Sequence, residues 1–149
     1  MLFIRHTLSI LPLLVSLFAT TSYAQTGSFN LESWPQTQVS LKPIYVKAIM
    51  EQAGVHRVSF TKSAEFYATE LDKLAAFAQE KNYSAYLQTP VAQNLATIAV
   101  INCDWNNGVP PWEFAQKYLG TTQLELLQPI YGEAITKLKN NCGQPASSQ

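Results

Sequence analysis

Three features of this chain predict an all-α fold, a small bundle of four to five helices with one disulfide. Apolar residues return at helical spacing in several separate stretches, without the alternation that a half-buried strand needs. Ser, Thr, Pro and Gly stand where helices start and stop. The only two cysteines, Cys103 and Cys142, bracket a stretch that holds two of the three tryptophans. In an oxidising compartment two such cysteines pair, and closing a loop of about forty residues stabilises a domain by roughly 4 kcal/mol.

The chain opens with MLFIRHTLSILPLLVSLFATTSYAQ. Arg5 makes the start positive, an apolar run extends from Leu8 to Ala19, and Ser22-Tyr23-Ala24 is a small-x-small cleavage signal. Residues 1–24 are therefore expected to be a signal peptide cleaved near Ala24. The address this implies is the periplasm or the outside of the cell. The apolar run is too short for a membrane span and no later stretch is longer, so stable membrane insertion is not expected.

Residues 25–40 are polar and carry Gly27 and Pro35, which reads as an extended N-terminal arm. Phe29, Leu31 and Trp34 are its large anchors, expected to dock it on the core, with partner binding as the rarer use of such residues. The helical domain is expected over 41–142. Its first helix follows Ser40 as N-cap, with Leu41, Ile44, Tyr45, Ala48 and Ile49 as the buried stripe and Gly54 as the stop. The segment after it, with His56 beside Arg57, reads as a loop.

A clearer helix follows Ser63. Phe66, Tyr67, Leu71, Leu74, Ala75, Phe77 and Ala78 share one face, while Glu65, Asp72, Lys73, Glu80 and Lys81 share the other. After an aromatic stretch with Tyr83 and Tyr86, Thr89-Pro90 reads as an N-cap with proline at the first helical position. The helix it opens, with Val91, Leu95, Ile98, Ala99, Val100 and Ile101, is apolar over so wide an arc that it must be the central one. Asp104 to Gly108 is a turn. Pro110-Pro111 starts a short helix with Trp112, Ala115, Tyr118 and Leu119 on its apolar side. Thr122-x-x-Glu125 resembles a capping box for the last helix, which Pro129 kinks or restarts. Cys142 is expected in its last turn and Gly143 at its end, with 143–149 a disordered tail.

Charge and composition exclude several functions. The formal net charge is zero, so there is no basic stripe for phosphates and nucleic acid is not an expected partner. Zinc needs closely spaced ligand pairs, and two isolated thiols with one His beyond the leader do not supply them. The Asp104 to Gly108 turn fails as a calcium loop, because its glycine comes one residue early and Ala115 stands at the closing position. With no phosphate loop, nucleophile elbow or Cys-x-x-Cys, and with His56 the only candidate base, neither an enzyme nor a cofactor is expected. Glu65, Glu70, Asp72 and Glu80 read as a solvated helix face and not as a catalytic carboxylate pair.

The order Cys103, Gly108, Pro110, Tyr118-Leu119, Pro129, Cys142 in the last third of the chain resembles the small periplasmic immunity proteins of the Rap/Tai kind, which protect bacteria from type VI secretion effectors. That resemblance implies a non-enzymatic helical protein that binds and blocks a toxin. The expected function is thus an exported protein-binding module. Trp105, Asn106, Asn107, Trp112 and Tyr118 are its candidate partner-binding residues, since exposed Trp and Tyr dominate many interfaces. The alternative is a small apolar-ligand carrier of the cell envelope, which needs a continuous apolar pocket between helices. The oligomeric state is left open.

Overall fold

The computed structural model describes residues 29–55, 60–104 and 109–143. Its helices are α1 (Lys42–Val55), α2 (Ala64–Glu80), α3 (Ser84–Leu87), α4 (Val91–Ile101), α5 (Pro111–Tyr118) and α6 (Thr121–Lys139), with no strand among the described residues. The all-α class holds, and the sixth helix is the single turn α3. Cys103 and Cys142 are bonded, with Cα atoms 5.8 Å apart, so the end of α4 is tied to the end of α6.

Helix α4 is the centre. Val91, Leu95, Ile98, Ala99, Val100 and Ile101 are all buried, and α1, α2, α5 and α6 pack around it. Each fully buried aliphatic side chain contributes about 1.5–3 kcal/mol. Thr89 is not the cap of this helix: Pro90 takes the N-cap position, and the Thr89 hydroxyl donates instead to the Ala85 carbonyl at 2.5 Å.

Helix α2 matches the stripe expected of it. Tyr67, Leu71, Leu74, Ala75, Phe77 and Ala78 are buried, and the Phe66 N–H donates to Ser63 Oγ at 3.2 Å. At this positive helix end the Glu65 carboxyl is held below its ordinary value, first by a backbone hydrogen bond and then by the Ser63 hydroxyl.

The first helix departs from expectation. Ser40 lies inside a 3-10 turn, Val39–Leu41, and α1 starts after it at Lys42. The face on the core is Lys42 and Val46 with Ile49 and Met50, while Leu41, Ile44, Tyr45 and Ala48 face solvent. The cause lies in residues far along the chain. Lys42, only 7 % exposed, reaches the Asp72 carboxylate of α2 at 2.5 Å, and its ammonium lies 5.3 Å from the centre of the Trp34 ring. The Trp34 indole N–H donates to the same carboxylate oxygen at 2.8 Å. One acceptor shared by a buried cation and a buried indole fixes the rotation of α1 about its axis.

The arm expected over 25–40 is described from Phe29 on and carries a bridge between Asn30 and Pro90 and the 3-10 turn Trp34–Gln36, and a second 3-10 turn, Val39–Leu41, joins it to α1. Leu31 and Trp34 are wholly buried, and the Leu31 and Glu32 N–H groups donate to the carbonyls of Thr89 and Leu87. The arm is therefore part of the core, as the docking reading of its anchors expects.

In α6 the backbone at Tyr131 leaves helical geometry (φ −123°, ψ 19°) two residues after Pro129, so the proline kinks the helix. Thr122 does not cap it. The helix begins at Thr121, and Gly120 takes the N-cap position at φ +79°, a conformation open to glycine. Cys142 lies beyond the last turn, in the 3-10 segment Asn141–Gly143.

Candidate functional site

Of the sequence-predicted partner-binding residues, Trp105, Asn106 and Asn107 lie outside the described residues, as does His56. Trp112 is half-buried at the start of α5. Its backbone N–H donates to Asn141 Oδ1 at 3.1 Å, and the Lys139 ammonium lies 5.7 Å from its ring centre. The tryptophan is thereby fastened beside the bridged Cys142. Tyr118 ends the same helix, is 44 % exposed and stacks on Phe114 with ring centres 5.7 Å apart.

The larger exposed apolar surface is on α1 and the turn before it. Val39 is 82 % exposed and Ile44 63 %, with Leu41 and Tyr45 beside them. Positions 41, 44, 45 and 48 fall on one helical face, bordered by the exposed, uncharged Gln36, Gln38, Ser40 and Gln52 and by the exposed, charged Lys47 and Glu51. Phe29 closes one edge of the surface, its ring 5.5 Å from Tyr45. The residues of this face are legible as apolar in the sequence. Their orientation is not, because the helix offers two apolar stripes of similar strength.

Asp104, by sequence the first residue of a turn, is only 2 % exposed. Its carboxylate accepts from the Thr61 N–H at 2.7 Å, the Lys62 N–H at 3.3 Å, and the hydroxyls of Thr61 and Tyr67. The Lys62 ammonium lies 3.9 Å away and donates to the Asn102 carbonyl at 2.9 Å. Burial, then the hydrogen bond to Asp104, pushes the Tyr67 hydroxyl far above its ordinary value, so it stays a donor. This knot joins the entry to α2 with the end of α4 beside the disulfide. It is saturated with protein donors, which makes it structural.

The carboxylates of α2 are also spoken for. Asp72 serves Lys42 and Trp34, and Glu70 lies 3.6 Å from Lys73. Among the described residues no group of three or more His, Cys, Asp or Glu gathers as metal ligands. An open groove of about 770 Å³ lies beside the disulfide, lined by Lys62, Lys73, Lys137, Glu70 and Glu133 above Ile130 and Ala134. Its charged walls do not suit an apolar ligand. No helix among the described residues is long and apolar enough to cross a membrane.

These features define the class: a small, disulfide-linked, all-α domain with an uncovered apolar helix face. No family model, curated protein or solved structure matches the chain.

Proposed function

We propose that this chain is an exported, non-enzymatic protein-binding module of the periplasm or the cell exterior, and that its partner is a secreted toxin it blocks in the manner of an immunity protein. The observation that carries the proposal is the solvent-facing stripe of Val39, Leu41, Ile44 and Tyr45, four of the six exposed large hydrophobic side chains among the described residues. Contiguous exposed apolar surface is costly in water and marks interaction sites. Tyr45 and Ile44 supply the aromatic and aliphatic anchors of such a site, and the rim of exposed Gln and Ser residues with Lys47 and Glu51 has the polar make-up of an interface edge. The toxin as partner rests on the Cys103 to Cys142 pattern, and export rests on the leader.

The test is capture by the oxidised protein from envelope extract and culture supernatant, with mass spectrometry of the protein and organic fractions. A single protein in stoichiometric amount, encoded as a toxin, is expected. A bound apolar molecule with no protein would replace the proposal with the small-ligand carrier.

A further inference from the structure

A second place on the molecule, apart from the α1 face, has features of a binding site of its own. Between α3, α4 and the start of α6 lies an open cleft of about 340 Å³. Its volume is at the lower end of the range for small-molecule sites. Every residue lining it is uncharged. Leu119 and Leu126 supply an apolar side, and the rest of the wall is mostly hydroxyl and carboxamide groups, among them Gln93, Asn94, Thr97 and Gln123.

Two of these wall residues, Asn94 and Thr97, are buried on the otherwise apolar central helix. Asn94 is engaged within the fold, since its amide N–H groups donate to the carbonyls of Thr89 at 3.1 Å and Tyr86 at 3.3 Å and so hold the turn between α3 and α4. The Tyr86 hydroxyl is not. The residue is only 7 % exposed, and its oxygen has no hydrogen-bond partner among the described residues. Burial raises its ionisation above the ordinary tyrosine value, and the nearby Gln123 carboxamide lowers it in part, so at neutral pH it is an intact donor; no group among the described residues meets it in hydrogen-bond geometry.

A buried hydroxyl without a partner costs about 1–3 kcal/mol, and buried polar groups in folded proteins are nearly always paired. A ligand acceptor that reaches this oxygen past the neighbouring Gln123 side chain would recover that cost. The partly exposed Gln123, on the first turn of a helix entered through a glycine, is placed to move aside. No wall residue offers an ionic partner, so a charged ligand would be desolvated there without compensation.

We propose that this cleft binds a small neutral molecule bearing hydroxyl and amide groups, the chemistry of an N-acetylated monosaccharide, with Tyr86 as the buried donor and Gln93 and Gln123 as the flanking amide contacts. The test is a titration of the oxidised protein with N-acetylglucosamine, followed by NMR of backbone and side-chain amides, on wild type and Tyr86→Phe. Wild type is expected to show saturable shifts confined to the cleft amides of Gln93, Asn94 and Gln123. Tyr86→Phe is expected to bind at least ~10-fold more weakly, the loss of about one hydrogen bond, with an unchanged or higher Tm. No saturable shift in wild type would overturn the proposal, as would undiminished binding by Tyr86→Phe. A clearly lower Tm for Tyr86→Phe would overturn it too, because the hydroxyl would then have a partner inside the folded protein. None of these outcomes bears on capture of a protein by α1.

Discussion

Asp104 shows how a single side chain can hold two distant segments. Four N–H and O–H donors from residues 61, 62 and 67 converge on one carboxylate beside a bridged cysteine. Asp104→Asn keeps the shape but turns an amide N–H₂ toward some of those donors. It is expected to cost about 3 kcal/mol, read as a lower midpoint in urea unfolding. The buried tyrosines give a pH signature. Burial raises Tyr67, Tyr86 and Tyr131 above their ordinary value, so each binds its proton more tightly folded than unfolded. Their contribution is complete below about pH 10 and is lost as pH rises from there through the raised range. Circular dichroism with tyrosinate absorbance should show alkaline unfolding that begins above about pH 10 and carries these three residues' ionisation with it. Ionisation of all of them with the helices intact would contradict their burial. The burial of Tyr67 is legible in its helical stripe, but the Asp104 knot is not: the donors to Asp104 lie about forty residues upstream, and no local pattern announces a partner at that distance.

At the scale of elements, α2 and α4 are readable because each has one apolar face, and burial of that face decides the rest. Helix α1 is not, because it has two. Val46, Ile49 and Met50 compete with Leu41, Ile44 and Tyr45, and the choice is made by Asp72 on the neighbouring helix and by Trp34 on the arm. Two substitutions separate the alternatives. Val46→Ala is expected to cost about 2 kcal/mol through a core cavity, while Ile44→Glu should change stability by no more than about 0.5 kcal/mol. Urea unfolding of the two variants reads both, and a larger cost at Ile44 than at Val46 would reverse the assigned face. The caps teach the same lesson. Ser63 works as its position suggests, whereas Thr89 and Thr122 yield to Pro90 and Gly120, whose backbone conformations set the helix starts.

For the whole molecule, the disulfide is the feature that both sequence and structure place most firmly. It fastens α4 to α6 with a sequence separation of 39, and both cysteines sit at positive φ, +60° and +59°. Reduction should lower stability by roughly 4 kcal/mol, measured as the difference in unfolding free energy with and without a dithiol reductant. The apolar face of α1 lies on the other side of the chain's order, in a helix the disulfide loop does not include, so the proposed contact face and the covalent reinforcement occupy separate parts of the domain. The most direct measurement is therefore the capture experiment repeated with Ile44→Glu and Trp112→Ala, each checked for an unchanged helical spectrum. If α1 is the contact surface, the protein partner held by wild type is lost from Ile44→Glu and kept by Trp112→Ala. Full retention by Ile44→Glu would contradict the assignment of that face to partner binding.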